Sequence, residues 1–131
     1  MRHFVSDSAE SYPVGAVDVA RWEQYELGDE LPFQAMWYTI APRSSSPRDC
    51  HPEVELSVVI AGTASVETSE DGTTDIAAGS CFLLGSEEAH VIHNRMDAPL
   101  LVWSTYWMPR TASAAVPATV PAAVPAQEAA R

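Results

Sequence analysis

The stretch "RDCHPEVELSVVIAG", residues 48–62, sets Asp49, His51, Glu53 and Glu55 at the mouth of a run that otherwise reads as a buried strand. Carboxylates and an imidazole are costly to bury together unless something compensates them. Asp49, His51 and Glu55 share odd parity, so on an extended backbone they tend to face one side. Pro52 or a bulge beside it would break that parity. Residues of these types gathered on one face suit metal binding or proton transfer. The plain alternative is a solvated strand edge, with Glu53 and Glu55 near Arg43 or Arg48. A second polar group lies in "GSCFLLGSEEAHVIHN", where Gly79, His90 and Asn94 stand at fixed spacing.

These groups need a scaffold, and residues 1 to about 110 supply one that reads as β. "FQAMWYTIA" (33–41) follows Pro32 and is rich in aromatic and β-branched residues. "VELSVVIAG" (54–62) ends at Gly62, and "TASVET" and "TTDIAA" flank Ser69-Glu70-Asp71-Gly72. Asp-Gly between alternating runs is a hairpin signal. "SCFLLG" (80–85), "AHVIHN" (89–94) and "PLLVWSTYWMP" (99–109) add three strands, and "DVARWEQYEL" suggests a short helix or irregular turn. Many short strands without a long amphipathic helix predict an antiparallel sandwich or barrel. In the last strand Leu101, Trp103, Thr105 and Trp107 form one set, and Leu100, Val102, Ser104 and Tyr106 the other. Parity leaves open which set points inward. "TASAAVPATVPAAVPAQEAAR" repeats Val-Pro-Ala every four residues, which blocks helix and central strand and predicts a disordered Pro/Ala tail over 111–131. The expected organisation is an N-terminal arm over 1–30, a barrel over 31–110, and the tail.

Composition narrows the function. The 131 residues carry 18 Asp and Glu against 7 Arg and no Lys, a net charge of −11. Nucleic acid and anionic membrane surfaces both call for clustered cations, so neither is an expected partner. No apolar run reaches signal-peptide or membrane-span length, and Cys50 and Cys81 form no CxxC. The expectation is a cytoplasmic protein with two free thiols. Cys50 alternates with Asp49 and His51 and should point away from them; Cys81 is expected to be a small buried residue. His93 lies at odd offset from His90 and should face out of the barrel.

The two blocks resemble the two motifs of the cupin superfamily. The first runs Gly-x5-His-x-His, then Glu after three or four residues, then Gly after six more. "DCHPEVELSVVIAG" is similar, with Asp49 at the first His, His51 at the second, Glu55 at the Glu and Gly62 at the closing Gly. Arg43 and Ser44 occupy the region of the missing opening Gly. The second motif runs Gly-x5-Pro-x-Gly-x2-His-x3-Asn. Gly79, His90 and Asn94 keep its spacing, while Gly85 replaces the Pro and Glu87 the inner Gly.

The resemblance, which covers about residues 31–109, implies an all-β, single-domain, cupin-type jelly-roll β-barrel, commonly a homodimer. It implies a divalent metal held by Asp49, His51, Glu55 and His90. Two imidazoles and one carboxylate with open positions are the facial set of non-haem Fe(II) oxygenases, and His51, Glu55 and His90 alone would satisfy it. Asp49 is a fourth ligand or orients a ligating His from behind. The expected function is therefore a metal-dependent enzyme acting on a small organic molecule, a dioxygenase using Fe(II). Mn(II) or Zn(II) would instead support a non-redox cyclase, isomerase or dehydratase in which Asp49 or Glu55 moves a proton. A metal-free barrel that only binds a small molecule is the non-catalytic alternative.

Overall fold

The computed structural model describes residues 1–110; the segment expected to form the Pro/Ala tail lies outside the described residues. Ten strands run in chain order: β1 (Tyr12–Val14), β2 (Val17–Arg21), β3 (Gln34–Ile40), β4 (Ser44–Ser45), β5 (Val54–Ala61), β6 (Thr63–Thr68), β7 (Gly72–Ala77), β8 (Cys81–Leu84), β9 (His90–Asn94) and β10 (Leu100–Trp107). They make a six-stranded sheet in the order β1-β2-β3-β10-β5-β8 and a four-stranded sheet in the order β4-β9-β6-β7. All pairings are antiparallel. These two antiparallel sheets are the all-β sandwich or barrel that the short alternating runs predict, in the jelly-roll form that the cupin resemblance implies.

The core lies between the sheets. β10 runs between β3 and β5, and Val102 stands opposite Tyr38 on one side and Val59 on the other. Val59, Val102, Ile40 and Leu100 are essentially fully buried, and Ala64, Val66 and Ile92 close the core from the smaller sheet. Burying each such aliphatic side chain contributes about 1.5–3 kcal/mol. The alternation left open by the sequence is thereby settled. Leu100, Val102, Ser104 and Tyr106 face the interior, while Trp103 and Trp107 lie on the outer side. There Phe4, Trp22 and Tyr25 of the N-terminal segment cover Trp37 and Trp103, with Trp22 ring centroids 5.5 and 5.8 Å from the two indoles.

"DVARWEQYEL" is split. Its first half is β2, whose Val17 and Val19 point into the core, and only Trp22–Tyr25 forms a 3₁₀ turn. The 1–30 arm therefore contributes two strands to the larger sheet itself. The Asp-Gly signal holds: β6 and β7 pair through to Thr68 opposite Gly72. Gly62 is required where β5 meets β6. Its φ is +89°, and a Cβ there would stand 3.1 Å from the Pro99 carbonyl oxygen and 3.2 Å from the Leu100 Cα, neither of which can yield.

Two departures from the motif pattern have a backbone consequence. Arg43 and Glu87, at or near the places of the missing glycines, have φ of +58° and +61°. The left-handed turns are kept without glycine, at about 1–2 kcal/mol of strain per residue. Asn94 holds the end of β9 to the end of β3: its Nδ2 donates to the carbonyls of Ile40 (3.0 Å) and Ala98 (2.9 Å). Its Oδ1 accepts the Met96 N–H at 3.1 Å.

Candidate metal centre

His90 opens β9 on the smaller sheet and Glu55 lies near the start of β5 on the larger one, both facing the interior and both buried. Asp49 and His51 sit in the connection between β4 and β5. Backbone bonds fix that connection: Asp49 and His90 exchange N–H···O bonds of 3.0 and 2.9 Å, and the Glu87 N–H donates to the His51 carbonyl at 2.7 Å. The Ser86 hydroxyl donates to the Pro52 carbonyl at 2.6 Å. Residues 50–53 form no strand, and the chain bends at 52–53. The side chains meet because the segment is pinned to the loop before β9, not because of strand parity.

The structure brings one ligand atom each from Asp49, His51 and His90 within 4.8 Å of one another. The imidazole rings are 5.2 Å apart and nearly perpendicular. Glu55 stands outside this trio and joins it through His51, with Oε1 at 3.1 Å from Nε2. Its Oε2 accepts the Ser104 hydroxyl at 2.5 Å and the Ser57 hydroxyl at 3.3 Å. These two serines were not among the residues expected at the site. The available signal was a hydroxyl two places after Glu55 on an apolar strand, and another at an inward position of β10.

The hydrogen bonds fix the imidazole tautomers. His90 Nδ1 is 2.8 Å from the Glu88 carbonyl and His51 Nδ1 is 3.0 Å from the Glu53 carbonyl. A carbonyl oxygen only accepts, so both Nδ1 atoms carry a hydrogen, and each Nε2 is the nitrogen turned to the site, a lone pair in the neutral ring and a donor in the protonated one. His51 Nε2 faces a carboxylate oxygen of Glu55 at 3.1 Å. A proton on Nε2 or a metal cation beside the pair is what holds an imidazole and a carboxylate together at that distance. The donor set fits a divalent ion: two imidazole nitrogens and hard carboxylate oxygens suit Fe(II), Mn(II) or Zn(II). The carbonyl bonds behind each imidazole are the orienting contacts that ligating histidines use.

The site opens on a cavity of about 260 Å³. Val14, Val17, Val19, Met36, Leu84 and Ile92 make its apolar walls, and Tyr38, Arg48, Asp49, Glu55 and His90 its polar part. Tyr38 is buried, and that burial together with the Glu55 charge pushes its hydroxyl well above the ordinary tyrosine range. Other expectations resolve here. His93 faces outward between the Ser45 hydroxyl (2.6 Å) and Glu67 (2.8 Å). The Cys50 thiol turns away toward the Glu87 carbonyl. Cys81 is exposed, not buried, because it lies on the outer face of the edge strand β8. No helix among the described residues is long and apolar enough to cross a membrane.

Comparisons with known proteins agree with the fold. The family model described as the cupin domain matches residues 36–107. The chain belongs to the cupin family. Solved cupins share its fold at low identity. A Cupin 2 conserved barrel domain protein from Salinispora arenicola has 21% identity and a TM-score of 0.69, over 82% of this chain and 88% of that one. An oxalate decarboxylase from Lactobacillus farciminis has 20% identity and a TM-score of 0.69, over 82% of this chain and 33% of that one. A sugar phosphate isomerase from Silicibacter pomeroyi has 19% identity and a TM-score of 0.64, over 84% and 76%. No curated protein sequence matches this cupin.

Proposed function

We propose that this cupin is a metal-dependent enzyme acting on a small organic molecule, and that in its finer form it is a non-haem Fe(II) oxygenase. The observation that carries the proposal is the gathering of ligand atoms of Asp49, His51 and His90 within 4.8 Å, with Glu55 Oε1 3.1 Å from His51 Nε2. His51 and His90 would hold the ion through Nε2, with Asp49 and Glu55 supplying the negative charge. Bound there, the metal supplies Lewis acidity and, as Fe(II), a redox centre. The chain does the rest. The carbonyls of Glu53 and Glu88 keep both imidazoles in the ligating tautomer. Ser57 and Ser104 hold Glu55 through Oε2, which keeps Oε1 turned toward His51 and the site. The valine and isoleucine walls keep bulk water from the substrate.

A second reading is favoured by the same serine-held Glu55: a non-redox isomerase or decarboxylase type of reaction on Zn(II) or Mn(II), with Glu55 or Asp49 as the base. Two of the structural neighbours, a decarboxylase and an isomerase, are named for such chemistry. Elemental analysis of protein purified without added metal, alongside His90→Ala, tests both. Near-stoichiometric iron lost in the variant, with oxygen consumption on a substrate screen, is the expected result. Zinc or manganese lost in the same way selects the second reading. No metal in the wild type, even after reconstitution, overturns both and leaves a binding module.

A further inference from the structure

Arg21 is the cation that the metal site does not use. It lies on β2 in the same alternation as Val17 and Val19, which line the cavity, and its cross-strand neighbour Met36 lines it too. Two phenols hold its guanidinium: Nε donates to the Tyr12 hydroxyl at 2.6 Å and Nη1 to the Tyr106 hydroxyl at 2.5 Å. Tyr106 is buried and stands directly opposite Glu55 in the pairing of β10 with β5. The guanidinium also lies over the Tyr106 ring, 5.8 Å from its centroid.

The remainder of the guanidinium has no partner among the described residues. Five N–H groups are available on an arginine, and two are accounted for here. Glu23 adds its field but makes no ion pair with Arg21. By contrast Arg2 and Arg43 are paired with Glu30 and Asp97. Arg48, which lines the cavity, is also without a carboxylate partner among the described residues. In a chain of net charge −11, Arg48 lines the cavity, and Arg21 lies just beyond its wall, two residues after Val19 and opposite Met36.

We propose that Arg21, fixed by Tyr12 and Tyr106, binds the carboxylate of a small organic monoacid whose apolar body enters the cavity, a substrate class that rests on the enzyme reading above. A planar guanidinium edge matches a carboxylate bidentately. The volume of about 260 Å³ is that of about nine waters at ~30 Å³ each, which admits a small organic acid. In the metal-free protein Asp49 and Glu55, which line the same cavity, oppose a second negative charge, so there a monocarboxylate suits it better than a phosphate ester.

The test is an NMR shift titration of full-length protein, metal-free and zinc-loaded, with benzoate and butyrate as probes and benzamide and phenyl phosphate as controls. Both carboxylates are expected to bind in preference to the controls. Arg21→Gln should weaken them at least tenfold, Arg21→Lys should recover only part of that loss, and Tyr12→Phe should cost a few-fold. Tyr12 is exposed, so its variant reports even where an Arg21 variant folds poorly. Equal binding of benzamide, unchanged affinity in Arg21→Gln, or no carboxylate binding by the wild type overturns the proposal. Metal uptake is measured on the same samples. Loss of arginine dependence with intact uptake removes only this inference; absent uptake with arginine-dependent binding removes only the enzyme reading.

Discussion

The two faces of the six-stranded sheet are built from the same strands. On the inner face Glu55, Ser57 and Ser104 are buried, and their polar atoms are matched to one another across β5 and β10. One residue along β10, on the outer face, the indole N–H of Trp103 is buried with no partner among the described residues, and that of Trp22 above it is likewise alone. The outer face is held by apolar area and ring packing, and it tolerates a lost hydrogen bond. The inner face satisfies its hydrogen bonds because it must place one carboxylate oxygen accurately. Stability and function are thus separated by the strand alternation itself.

Substitutions on the two faces should therefore fail differently. Trp103→Ala should have the largest effect, about 3 kcal/mol of stability lost and a melting temperature lower by more than about 10 °C. Metal bound per folded molecule should stay unchanged; calorimetry with metal analysis checks both, and a parallel loss of metal would erase the distinction. Ser104→Ala should reverse the pattern. Glu55 Oε2 would keep only the longer Ser57 bond, so metal affinity should fall roughly tenfold with about 1 kcal/mol of stability, read by metal titration and denaturant unfolding.

Tyr38 sharpens the comparison through pH. Its hydroxyl is raised by burial and by Glu55, so the folded state keeps the proton more tightly than the unfolded chain. The stability this contributes is complete below about pH 10, where an unfolded tyrosine titrates, and is lost as the pH rises beyond it. Denaturant unfolding between pH 9 and about 11 should show that decline, and Tyr38→Phe should remove its steepest part. The smallest effect belongs to His93→Ala on the outside of the smaller sheet. Losing its contacts with Glu67 and Ser45 should cost under about 1 kcal/mol and leave metal binding alone. A larger change in metal content would mean the inside-outside assignment of β9 is wrong.

Seven of the ten strands were legible because they alternate or run apolar between clear turn residues. β4 is only two residues long, below any periodic signal. β1 and β2 were obscured by Pro13 and by the charged pair Asp18 and Arg21; these strands owe their place to pairing with β3 rather than to propensity. At the site, the motif resemblance indicated Asp49, His51 and His90, which the structure brings together. It also indicated Glu55, which meets them through His51. The serines behind Glu55 and the phenols around Arg21 were not legible, since each contact joins residues from strands far apart in the chain. Parity gave an acceptable placement of Asp49 and His51 for an incomplete reason, because the bend at Pro52 is set by backbone bonds to the loop before β9.

His90 belongs to one sheet and Glu55 to the other, with Asp49 and His51 in the strap between them. An ion held by this set would span the two layers, so the layers could not part without releasing it. Amide exchange in the strands around His90 and Glu55 would then slow together on loading. Metal dissociation and the opening of the sandwich would share one clock.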